Sequence, residues 1–200
     1  MTRRAGYWLV VAFILGLAML AGCGPAKRDD FKATDITGAD FGRHLELTDH
    51  NGVKRSLSDF KGKLVVLFFG YTYCPDVCPT TLSDVASALK SMPPADARQV
   101  QALFVTVDPE RDTPEMLKEY VPYFHPNFLG LYGTPAETAL AAKEFRVFYK
   151  KHAEPGATSY LVDHTAGSYV LDRTGHLRLY QPFGQPPPDM AHDLTLLLRE

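Results

Sequence analysis

Two uninterrupted apolar runs constrain this chain more than any other feature. "LVVLFF" occupies residues 64–69, between Lys63 and Gly70, and "ALFVTV" occupies residues 102–107. A run of this length without polar alternation fits a strand buried on both faces, as in a sheet covered by helices.

The segments after each run support that reading. Leu82, Val85 and Leu89 recur at spacings of three and four and predict a helix from about Pro79 to Met92, with Pro79 tolerated in its first turn. After the second run, "DPERDTPE" offers Asp112 or Thr113 as the cap of a helix with Pro114 early and Glu115 in its first turn. Phe128–Leu131 reads as a short strand and Pro135–Phe145 as a helix. Tyr169–Leu171 and Leu177–Tyr180 read as a hairpin turned at Thr174-Gly175, and Met190–Leu198 as a closing helix. Upstream, "HLELTDHNGVKRSLSDF" reads as two short strands about the turn Asn51-Gly52. The expected fold is an α/β domain: a mixed central β-sheet flanked by helices, with an N-terminal β-hairpin.

With 200 residues, 46% of them hydrophobic and 22% charged, the chain can bury the core of one domain. Its 21 basic and 23 acidic residues are scattered, and no basic block marks a nucleic-acid partner.

The first segment follows other rules. Arg3 and Arg4 precede an uncharged stretch from Ala5 to Gly22, which ends in "LAGC" at Leu20–Cys23. A charged start, an apolar middle and small residues before a cut site describe an export signal. This end resembles a bacterial lipoprotein signal, in which the cysteine of such a box is lipidated and becomes the first mature residue. The expectation is a signal peptide over 1–22, a lipidated Cys23, a flexible tether over 23–40 containing "GPAKRDD", and a folded domain over 41–200. The alternative is a retained anchor helix, since the uncharged stretch lies at the short edge of what spans a bilayer. Both readings put the domain outside the cytoplasm, on a membrane of the bacterial cell envelope and facing the periplasm.

In open α/β sheets, functional groups gather beyond the carboxyl ends of the parallel strands. Cys74 and Asp108 each follow a buried run in that way. Cys74 and Cys78, in "GYTYCPDVCPTT", permit three chemistries. A disulfide staple closing about five residues is worth roughly 2 kcal/mol, against about 4.7 kcal/mol for a 100-residue loop, so its structural value is small. A redox pair gains from the helix N-terminus, which favours thiolate. However, three residues separate the sulfurs where the usual motif has two, and the charge of Asp76 opposes ionisation. Metal capture suits two soft sulfurs, with Cu(I) or zinc as the ion, but it needs a third ligand. Spacing alone singles out none of the seven histidines.

Taken together and in order, "FFGYTYCPDVCPTTL", "TVDPERDTPE" and "DHTAGSYVLD" resemble the Sco/SenC family of membrane-anchored copper proteins, over roughly residues 40–200. The resemblance implies a thioredoxin-like fold and one copper per chain, as Cu(I) or Cu(II), bound by Cys74, Cys78 and His164. It makes Asp163 a neighbour that orients the histidine. It gives Asp108, Arg111 and Asp112 the work of capping a helix and bracing the loop, which Tyr71 and Pro75 shape. His44, His50, His125, His152, His176 and His192 match no ligand position and are expected on the surface.

The function implied is a copper metallochaperone for the binuclear copper site of cytochrome c oxidase, with no catalytic residue assigned. Its partners would be the oxidase's copper-binding subunit, a periplasmic thiol reductant and a copper donor, with the membrane reached through the lipid. The alternative is a thiol-disulfide reductase of that subunit with Cys74 and Cys78 as its redox-active pair, or a related redox-sensing or oxidant-defence protein. A thioredoxin oxidoreductase has a proline facing its cysteines, whereas the stretch around His164 contains none. A peroxiredoxin has threonine three residues before its cysteine, and here those positions hold Tyr71 and Pro75.

Overall fold

The two apolar runs pair side by side at the centre of the sheet. In the computed structural model, which describes residues 30–153 and 159–200, the strands are β1 (Thr34–Asp35), β2 (Glu46–Asp49), β3 (Lys54–Ser56), β4 (Leu64–Gly70), β5 (Val100–Thr106), β6 (Leu129–Tyr132), β7 (Tyr149–His152), β8 (Leu161–His164), β9 (Ser168–Leu171) and β10 (Leu177–Gln181). The helices are α1 (Val77–Ser91), α2 (Pro94–Ala97), α3 (Pro114–Phe124), α4 (Pro135–Glu144) and α5 (Pro187–Arg199). The expected leader over 1–22 and the lipidation site Cys23 lie outside the described residues. Among those described, no helix is long and apolar enough to cross a membrane.

The main sheet runs β1-β10-β9-β4-β5-β6-β2-β3. β4, β5 and β6 are parallel and the other pairings antiparallel, which makes the sheet mixed as expected. All seven residues of β4 and all seven of β5 are buried. Each fully buried Val, Leu or Phe there contributes roughly 1.5–3 kcal/mol of transfer free energy, and this fixes the middle of the sheet. α5 packs on β4 and on α1, α3 on β6 and on α1, and α4 on β2.

Helix starts follow local chemistry. Thr113 accepts the Met116 N–H at the head of α3, and Thr134 with Glu137 forms a capping box on α4. The β9–β10 turn holds Gly175 at φ 88°, a conformation that glycine adopts without a Cβ clash. The β2–β3 hairpin turns at Gly52, as predicted, and joins the main sheet through β6.

Three differences from the sequence reading have plain causes. Residues 31–40, expected in the tether, belong to the folded unit, which begins at Phe31. The Lys32 and Ala33 N–H groups donate to the buried carboxylate of Asp193 at 2.8 Å, and Thr34 and Asp35 pair with Tyr180 and Leu179. Backbone groups make these contacts, so a polar side-chain sequence does not advertise them. His50, expected on the surface, is buried, and its Nδ1 accepts the Gly130 N–H at 3.0 Å. Finally, β7 and β8, which were not among the expected strands, form a separate two-stranded ribbon.

Candidate metal centre

β4 ends at Gly70, where the surrounding side chains leave no room for a Cβ. A Cβ there would lie 2.7 Å from Cys78 Sγ, 2.8 Å from Phe104 Cε2 and 2.9 Å from Phe68 Cε1. The chain then turns at Tyr71–Cys74, where the Cys74 N–H reaches the Tyr71 carbonyl, and enters α1 with Asp76 at the N-cap position. Cys78 is consequently buried in the first turn of α1, while Cys74 stands half-buried at the mouth of the loop, and both are free thiols.

His164 arrives from the ribbon, 86 residues from Cys78, and its Nε2 lies 3.4 Å from Cys78 Sγ. Its Nδ1 is 3.0 Å from the Thr165 carbonyl. A carbonyl only accepts, so Nδ1 carries the proton and the Nε2 lone pair faces the sulfurs. Tyr71 and Phe68 hold the imidazole edge-on, each with centroids 5.9 Å away. The orienting contact thus comes from Thr165 and not from Asp163, whose side chain is exposed beside a histidine that faces inward, as strand alternation requires.

The two sulfurs and the imidazole nitrogen all lie within 4.8 Å of one another. Three ligands around one ion at bonds of about 2.0–2.3 Å stand about 3.5–4 Å apart, so a small contraction of this cluster suffices. Two thiolates and an imidazole are the donor set of soft and borderline cations.

The sulfurs differ sharply. The Cys78 thiol donates to Cys74 and holds its pKa down to about 3; the N–H groups of Asp76 and Cys78 act in the same direction, against burial. Cys78 is pushed up by the neighbouring Cys74 thiolate and by burial, and stays protonated. The expected opposition from Asp76 does not prevail, because that residue turns its backbone N–H to the sulfur while its exposed carboxylate lies toward Thr80.

The second motif braces the loop. Asp112, a candidate cap from the sequence, is instead buried beneath it and accepts from the Thr72 N–H, the Thr72 hydroxyl and the Thr106 hydroxyl, leaving the capping to Thr113. Arg111 Nε donates to Asp108 Oδ2, and Asp108 Oδ1 accepts the Tyr160 hydroxyl at 2.8 Å. Thr165, Phe68 and Tyr160 were not anticipated. Tyr160 was findable, since Tyr160, Val162 and His164 alternate along one face of a strand.

Fold and site together define a thioredoxin-like domain with a two-sulfur, one-imidazole cluster at the carboxyl end of its central strands. The chain belongs to the SCO1/SenC family, whose sequence model matches residues 33–199. Protein SCO2 homolog, mitochondrial, of Mus musculus is 38% identical over 132 residues, 66% of this chain and 52% of that protein. The chain spans about half the length of the mammalian SCO2 homologs it matches. Among solved structures, Bradyrhizobium japonicum ScoI with copper bound is 42% identical, with a TM-score of 0.70 over 78% of this chain and 98% of that one. Apo Sco1 of Thermus thermophilus is 39% identical, with a TM-score of 0.75 over 88% of this chain and 100% of that one.

Proposed function

We propose that Cys74, Cys78 and His164 bind one copper ion and that the protein carries it to the binuclear copper site of a cytochrome c oxidase. The observation that carries this reading is the convergence of three ligand atoms within 4.8 Å. Membership in a family with a copper-bound relative supports copper over zinc. Copper here is cargo. The thiolate of Cys74, at the mouth, is the first group an incoming ion or partner thiol meets. Cys78 loses its proton on ligation, and His164 offers Nε2 without any change of protonation. Both sulfurs must be reduced to bind, so a periplasmic thiol reductant, a copper donor and the oxidase's copper-binding subunit are the partners of this reading. The leader over 1–22 would direct export, and a lipid on Cys23 would hold the domain at a membrane of the cell envelope, facing the periplasm.

The asymmetry of the sulfurs favours a second reading, thiol-disulfide reduction of that subunit. The Cys74 thiolate would attack a partner disulfide and form a mixed disulfide. Cys78, giving up its proton, would then displace the partner's second sulfur, leaving a Cys74–Cys78 disulfide and a reduced partner, with two electrons transferred.

Metal analysis of the reduced protein distinguishes them. One copper per chain in the wild type, lost in Cys74→Ser, Cys78→Ser and His164→Ala, is the expected result. A His164→Ala variant that keeps full copper binding and still matures the oxidase would overturn the carrier reading, whereas a reductase keeps its thiol exchange without the imidazole.

A further inference from the structure

The three ligands do not share one support. Cys74 and Cys78 stand on the main body, in the loop after β4 and the first turn of α1, whereas His164 stands on the β7–β8 ribbon, which among the described residues makes no strand pairing with the main sheet. Something other than sheet hydrogen bonding must hold the imidazole over the sulfurs.

Arg111 meets that requirement. Its guanidinium carbon lies 3.7 Å from the centroid of the Tyr160 ring, 4.8 Å from that of Tyr73 and 5.7 Å from that of Tyr71. Tyr160 leads directly into β8, Tyr73 precedes Cys74, and the Tyr71 ring stands against His164. Arg111 Nη1 donates to the Tyr160 carbonyl at 2.9 Å, Nε donates to Asp108, and Asp108 in turn accepts the Tyr160 hydroxyl. Nη2 is buried with no hydrogen-bond partner among the described residues. A planar, permanently charged group with several fixed donors can bind a carboxylate, a carbonyl and aromatic faces at once. A second charged tie between ribbon and body among the described residues, Lys151 to Glu110, is exposed on both sides and holds weakly.

We infer that Arg111 is a positioning residue that pegs the His164 ribbon to the cysteine loop, and so sets whether the site presents three ligands or two. The consequence for metal binding rests on the copper reading above, whereas the mechanical part does not.

The test uses the full chain. In the metal-free protein, amide hydrogen exchange at Val162 and His164 rises at least about tenfold in Arg111→Met, the factor that corresponds to one charge-assisted hydrogen bond, while β4 and β5 keep their protection. Arg111→Lys, which keeps the charge but loses the fork, restores part of it. In the Cu(II)-loaded protein, the imidazole nitrogen coupling in the electron paramagnetic resonance spectrum weakens in Arg111→Met toward that of His164→Ala.

Ribbon exchange that stays at the wild-type rate overturns the peg whatever the metal does, and so does exchange that rises equally through β4 and β5. If the wild type itself lacks the nitrogen coupling, the copper reading fails, while the exchange result still judges Arg111. Should Arg111→Met fail to fold, Tyr160→Leu removes the facing ring and the bond to Asp108. Selective loosening of the ribbon there supports the peg, and wild-type exchange refutes it.

Discussion

Asp112 accepts both the backbone N–H and the hydroxyl of Thr72, a residue 40 positions earlier in the chain, and thereby ties the loop after β5 to the loop that bears the cysteines. The bond to Thr106 adds a third anchor from the end of β5. The carboxyl is almost fully buried, and burial pushes its pKa up.

Removing that carboxyl strands its partners. In Asp112→Ala the Thr72 N–H and the Thr106 hydroxyl lose their acceptor in a buried setting, at a cost of about 2 kcal/mol or more. Urea unfolding should show a lowered midpoint with an unchanged slope. A change within about 0.5 kcal/mol, the range of an ordinary surface substitution, would refute the bracing role.

Gly70→Ala puts a methyl group 2.7 Å from Cys78 Sγ and against two phenyl rings. Overpacking of this kind costs about 1–3 kcal/mol. The expected outcome is a lower thermal midpoint together with weaker copper retention against a chelator, because the sulfur itself has to move. Unchanged retention would show that the seat of Cys78 is more yielding than its packing indicates.

The two thiols should be distinguishable by alkylation of the reduced, metal-free protein. Cys74 is half-buried, with a pKa held near 3, whereas Cys78 is buried and protonated. Iodoacetamide followed by peptide mass spectrometry should label Cys74 first, and its rate should barely fall between pH 8 and pH 6. Preferential labelling of Cys78 is the result that contradicts this assignment.

His50 supplies a pH dependence away from the site. Burial holds its pKa below the ordinary 6.5, and its Nδ1 must stay unprotonated to accept from Gly130. The unfolded chain therefore binds the proton more readily than the folded one, so this contribution to stability is complete above the unfolded pKa and is lost as the pH falls toward the folded value. Thermal midpoints should drop from neutral pH into the mildly acidic range. His50→Asn, whose side-chain oxygen can take the same bond, should flatten that slope, and an equal slope in both proteins would exclude His50 as the source.

The sequence announced the elements that periodicity governs. β4, β5 and α1 followed from apolar spacing, and the two hairpin turns from Asn51-Gly52 and Thr174-Gly175. It was silent where backbone groups do the pairing: β1 reads as tether, and β7, with Tyr149, Lys150, Lys151 and His152, has almost no buried face. The cysteines were legible because they are close together after a buried strand. His164 was legible only through the family resemblance, since nothing local connects residues 86 apart. Asp112 and Thr113 were equal candidates for the cap, and packing decided between them, because only the hydroxyl of Thr113 lies at the head of α3 while the carboxylate of Asp112 turns under the loop.

β4 and β5 are matched residue for residue from Leu64 and Val100 to Gly70 and Thr106, with no bulge between them. Since successive side chains point to opposite faces, deleting or inserting one residue in either strand would turn over everything beyond it. The loop with the cysteines and the loop with Asp112 would then leave the sheet on different sides. Length changes at the turns, such as the one at Gly175, carry no such penalty, so tolerance to insertions and deletions should divide the chain sharply between its hairpin tips and these two strands.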